Sequence, residues 1–112
     1  MTLRIGKLYF DWWTMGVRSI DHRPGVVALV ARSSDPSAKT EVFEAHAAHD
    51  MNATATALAE QGRLRRDEPG RTVGLMTRAA ERLEAVGIVG ALLRRKRVFA
   101  EPVFDGDVAR MS

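Results

Sequence analysis

Val26–Ala31 is an unbroken run of apolar residues, bounded by Asp21-His22-Arg23-Pro24-Gly25 on one side and Ser33-Ser34-Asp35-Pro36-Ser37 on the other. It is far too short to span a bilayer, and it suits a central β-strand. Both flanks are breakers: in the first, proline presets φ and glycine permits positive φ, and the second is the clearest loop in the chain. Beyond that loop, Thr40–His46 alternates Val42, Glu44 and His46 against Glu41, Phe43 and Ala45, so residues 26–46 read as a hairpin with a loose loop. Upstream, Thr2–Phe10 and the residues from Trp12 to Ile20 are rich in β-formers and extend the strand character to the N-terminus. The chain is therefore expected to build a sheet first.

The second half reads as helix. Phe43, Ala47, Met51 and Leu58 would also fit one long helix from Thr40, but Asp50 and Asn52 are good N-caps within that span and favour strand followed by helix. Asn52–Gln61 is alanine-rich, and Gly62 suits the residue after the helix. Thr72–Val86 carries the strongest helical stripe, made of Met76, Ala79, Ala80, Leu83 and Val86. After Gly87 two readings stand: a hairpin turning at residues 94–97, or a short helix over Gly90–Arg97 whose cationic end complements the helix dipole. Val98–Phe104 reads as a strand in either case, with Pro102 pointing to an edge, and Asp105–Ser112 as a loose tail. The expected fold is one α+β domain over residues 1–112. Its antiparallel sheet has about four or five strands, and two helices, near 52–62 and 72–87, pack on one face. The expected core is Leu8, Phe10, Trp12, Val27, Leu29, Phe43, Leu58, Met76, Ala80, Leu83, Val86 and Phe99.

Composition narrows the function. There is no cysteine, which excludes disulfides, thiol nucleophiles and thiolate metal sites and favours a reducing, cytoplasmic setting. No signal peptide is read at the N-terminus, where Asp11 interrupts the chain before an apolar core forms, and no stretch is long enough to imply membrane insertion. No phosphate-binding glycine loop, dinucleotide fingerprint or nucleophile elbow is present, so neither catalytic residues nor a cofactor is expected. His46, His49 and Asp50 would converge on a metal only if they shared a helix, and the strand-then-cap reading predicts no metal site.

Two features call for a surface role. Seven of the 17 basic residues lie in Arg63-Leu64-Arg65-Arg66 and Arg94-Arg95-Lys96-Arg97. Arg63, Arg65, Arg66, Arg94, Arg95, Lys96 and Arg97 could form a phosphate-binding footprint if the runs converge, or be solvated helix ends if they lie apart. Trp12 and Trp13 are adjacent, so on a strand they point to opposite faces. One enters the core, and the other needs a helix, a partner or a second subunit to cover it. The expected function is a small non-enzymatic protein-interaction or assembly module, of the kind found as structural or inhibitor proteins of phages and mobile elements, where it would be virion-associated. It would bind a protein partner or itself. The alternative is a nucleic-acid-binding regulator of winged-helix outline, reading bases with the 72–86 helix. That alternative has to accommodate a helix balanced in charge and a net charge of only +3.

Overall fold

The computed structural model describes residues 1–64 and 70–103. Nine secondary-structure elements follow in chain order: β1 (Thr2–Ile5), β2 (Leu8–Trp13), β3 (Gly25–Ser33), β4 (Thr40–Ala48), α1 (Met51–Glu60), β5 (Arg71–Ala79), α2 (Arg82–Arg95), β6 (Arg97–Val98) and β7 (Glu101–Val103), with one 3-10 turn at Val17–Ser19. All the strands join one antiparallel sheet in the order β6-β4-β3-β5-β2-β1-β7, which curls into a half-barrel. The α+β class stands, but the sheet has seven strands rather than four or five.

The apolar run is the centre of this sheet. β3 pairs with β4 along one edge and with β5 along the other, and Val26 to Val30 are essentially inaccessible to solvent. The pleat divides the run between two cores. Val26, Ala28 and Val30 join Leu3, Phe10, Val42, Met76 and Val98 beneath Ala85, Ile88 and Leu92 of α2. Val27, Leu29 and Ala31 join Ile20, Val73 and Leu75 beneath Met51, Ala55 and Leu58 of α1. The helices therefore cover opposite faces of the sheet, not one face as expected. A doubly covered central strand is what an all-apolar run requires, because neither face can be left in water.

Three local differences account for the additional strands, and one of them is the expected strand Val98–Phe104, which divides into β6 at one edge of the sheet and β7 at the other. Thr2–Phe10 is a hairpin rather than one strand. Gly6 takes a φ of 60° in a two-residue Gly-Lys turn, so Leu3 and Phe10 become cross-strand partners in the same core. The expected helix over 72–86 is half strand. Residues 71–79 form β5, whose Val73, Leu75 and Thr77 face α1 while Met76 lies under α2. Its β-branched residues and burial on both sides suit a central strand better than the accidental 3.6-residue spacing suits a helix. The helix starts only at Arg82 and runs through Gly87 and Gly90 to Arg95, which resolves the fork past Gly87 in favour of helix.

Other expectations hold. β3 and β4 form the hairpin, with a bulge at Phe43 that skips from the Leu29–Glu44 pair to the Val30–Val42 pair. Asp50 caps α1 by accepting the Ala53 amide hydrogen at 3.1 Å, and Gly62 follows the helix with a φ of 70°. Pro102 sits in the edge strand β7. Of the expected core, Phe10, Val27, Leu29, Leu58 and Met76 are buried, and Leu8, Trp12 and Ala80 are half-buried. Phe43, Leu83, Val86 and Phe99 are exposed instead. Phe43 is the bulge residue, and Leu83 and Val86 lie on the side of α2 away from the sheet. The tail, Asp105–Ser112, lies outside the described residues.

Candidate interaction surface

The surface is built on α2. Ala85, Ile88 and Leu92 anchor the helix to the concave core. At 100° per residue, the opposite side then carries Leu83, Val86, Gly90 and Leu93 in one stripe, with intervals of three, four and three residues. The stripe is open to solvent: Leu83 is 88% exposed, Val86 52% and Leu93 43%. A globular domain scatters single apolar residues over its surface, but three aligned on one helix form a contiguous patch.

The helix is flanked by hollows. On the side of the β1–β2 turn, an apolar groove of about 440 Å³ is floored by Ile5, Leu8, Phe10, Ile88 and Leu92 and rimmed by Lys7, Glu84 and Arg95. On the β4 side, a smaller hollow of about 290 Å³ lies between Pro24, Ala47, His49, Arg82 and Val86. α2 is thus a ridge, accessible from both flanks.

Charge is balanced at the start of α2, where Arg82 and Arg78 offset Glu81 and Glu84, and is cationic at its end. Glu81 is the N-cap and Glu84 sits in the first turn, 3.6 Å from Arg78. Arg94, Arg95, Lys96 and Arg97 are exposed at the other end, and Lys96 terminates the helix with a φ of 61°. Among the described residues none of these four cations is ion-paired. Acids at the N-terminus and cations at the C-terminus both suit the helix dipole, which accounts for this run without any ligand.

Arg97 differs from the other three: it shares a hollow with Ala31 and Arg71 on the α1 side of the sheet, the side that also carries Arg63. Arg63 lies beyond α1, on the other face of the sheet, ion-paired to Glu44, which also meets His46 at 3.2 Å. Burial alone would raise the Glu44 carboxyl, but hydrogen bonds from His46 and Arg63 outweigh it and hold the pKa below its ordinary value. Arg65 and Arg66 lie outside the described residues.

The tryptophans divide between the two cores, as adjacent strand residues must, and both are half-buried. Trp12 lies over Gly74, where a Cβ would come within 2.7 Å of the ring, and Arg32 stacks on it at 5.2 Å from the centroid. Burial lowers the Arg32 pKa from its ordinary value. Trp13 donates its indole N–H to the Thr77 hydroxyl at 2.9 Å. The second indole is thus covered by the chain's own α1-side core.

His46 and His49 do not converge with Asp50 on a metal. His46 meets Glu44, His49 lies 3.3 Å from Arg82, and Asp50 meets His22 at 2.9 Å, so among the described residues no three such groups share a centre. No described helix is long and apolar enough to cross a membrane. Sequence reading does not reveal the exposed stripe on α2, because it places Leu83 and Val86 in the core of one helix over residues 72–86, where the chain forms β5, a turn and the start of α2. The signal was present in their spacing to Gly90 and Leu93.

Compared with protein-family models, curated proteins and solved structures, the chain matches none. Its function therefore has to be argued from this surface.

Proposed function

We propose that the protein is a non-enzymatic interaction or assembly module whose contact surface is the outer face of α2. The observation that carries this reading is the solvent exposure of Leu83, Val86 and Leu93 in one stripe on a helix already anchored by its opposite side. Burying such side chains contributes roughly 1.5–3 kcal/mol each when complete, enough for three of them to anchor a small interface. The flanking hollows give a partner's side chains somewhere to enter, and the cations at the C-terminal end supply a polar rim.

A photo-crosslinking amino acid at positions 83, 86 or 93, in cells that make the chain natively, tests the reading. Adducts of discrete mass are expected at these positions and not at the exposed Ala57 on α1. Equal, diffuse labelling at all four positions would defeat it.

Nucleic-acid binding is the second reading, and it rests on one feature. Lys39, Arg71 and Arg97 share a hollow of about 340 Å³ with Glu41, next to Arg94–Lys96. It ranks behind because residues 72–79 are a buried strand rather than a reading helix, and because Arg63 is engaged with Glu44. Retention on mixed DNA and RNA at low salt, lost steeply as salt rises, would promote it.

A further inference from the structure

The groove between the β1–β2 turn and α2 has a lining that narrows what can fill it. Leu83, Gly87, Ala91 and Arg95 recur every four residues along one wall, so the groove follows α2 for about 18 Å at 1.5 Å per residue. Apart from Lys7, Glu84 and Arg95 at the rim, no side chain that lines it can donate or accept a hydrogen bond. The backbone groups of β1, β2 and α2 are taken up by their own ladder and helix. A peptide laid along this floor would leave its N–H and C=O groups without partners. A sugar or a nucleobase would exchange its hydrogen bonds to water for none. A hydrocarbon chain has no such loss and gains by leaving water. The volume, about 440 Å³, falls in the range of small-molecule sites, about 300–1,000 Å³.

The rim selects the other end of the ligand. Glu84 sits in the first turn of α2, 3.6 Å from Arg78, so its charge is already answered. Lys7 and Arg95, one on each wall, have no ion pair among the described residues. Arg94 and Lys96 flank Arg95 and make that end of the groove the positive one. An anionic head is therefore attracted at the Arg95 end and repelled at the Glu84 end. We infer that the groove binds one monomeric amphipathic acid, a medium-length alkyl chain that ends in a carboxylate. Its tail lies over Phe10, Ile88 and Leu92 and runs toward Leu83, and its carboxylate meets Arg95, with Lys7 adding charge at the rim. The site goes beyond the reading of α2 as a contact surface: Val86 and Leu93, which do not line the groove, stay free when it is filled.

Equilibrium dialysis of the full chain against decanoate, with decanol and decyltrimethylammonium as neutral and cationic counterparts, tests the site. The expected result is one site per chain that holds the carboxylate at least about tenfold more tightly than the ammonium. Octanoate, shorter by two methylenes, is expected to bind roughly tenfold more weakly than decanoate. A Cβ at Gly87 would meet nothing within 4 Å, so Gly87→Leu fills the groove and also suits the helix better than glycine. That variant is expected to lose binding with unchanged circular dichroism. Arg95→Gln, at an exposed position, is expected to weaken decanoate several-fold and leave decanol unchanged. Absence of decanoate binding at about 1 mM, where even weak millimolar affinity shows, would overturn the proposal. So would equal affinity for the three head groups, parental decanoate binding by Arg95→Gln, or parental binding by a folded Gly87→Leu.

Discussion

Gly74 shows how far a single residue constrains this fold. A Cβ there would lie 2.6 Å from the Trp13 carbonyl oxygen and 2.7 Å from the Trp12 ring. Backbone on one side and a stacked indole on the other leave no room to relax. Gly74→Ala is expected to destabilise the protein by about 1–3 kcal/mol, as overpacking does, measured from the urea midpoint. It should also shift the tryptophan emission, because the Arg32–Trp12 stack is displaced. Asp50 makes a different prediction. The hydrogen bond from His22 and the capped Ala53 amide lower its pKa from the ordinary value. A carboxylate with a depressed folded pKa contributes stability that is present above its unfolded pKa, near 3.9, and disappears as pH falls through the folded value. Asp50→Asn keeps a capping oxygen but loses that charge. The variant is expected to be less stable than the parent at pH 6 and to converge with it as the pH falls below about 4. Urea midpoints that stay separated by the same amount down to pH 2.5 would contradict the assignment.

At the scale of an element, α2 has two sides with different work, and substitutions should separate them. Leu92 is buried in the concave core and Leu83 is open to solvent. Leu92→Ala is expected to cost about 2–5 kcal/mol of stability. Leu83→Ala in dilute solution should change it by less than about 0.5 kcal/mol. Equal losses by thermal or urea unfolding would mean that the helix sits in another register. That register is also where sequence reading went furthest astray. The β3–β4 hairpin, the Asp50 cap and the edge position of Pro102 were legible because each rests on a local signal: an apolar run, a capping residue, a missing N–H. β5 was not legible. Met76, Ala79, Ala80, Leu83 and Val86 mimic a helical stripe across a strand end, a turn and a helix start, and only pairing with β3 and β2 decides the issue. The Gly6 turn was missed for a related reason. Alternation continued through it, and a hairpin differs from a long strand only in what pairs with what.

For the whole molecule, the half-barrel gives its two helices different surroundings. α1 closes one core and carries no comparable stripe, while α2 closes the other and turns an apolar ridge outward. The two arginine runs, the most conspicuous feature of the sequence, are divided by this architecture. Arg94 and Arg95 end α2 on one side of the sheet, whereas Arg97 shares a hollow with Ala31 and Arg71 on the α1 side, the side on which Arg63 pairs with Glu44. The candidate site was thus half visible in the sequence: its cationic end could be read, but its apolar part was mistaken for core. Photo-crosslinking from position 83 in cells that make the chain natively, alongside a chain that also carries Val86→Glu and Leu93→Glu, tests most directly whether the outer face of α2 is a contact surface. The expected result is an adduct of discrete mass for the parent that the variant loses with unchanged circular dichroism. No adduct from the parent, or the same adduct from the variant, would contradict it.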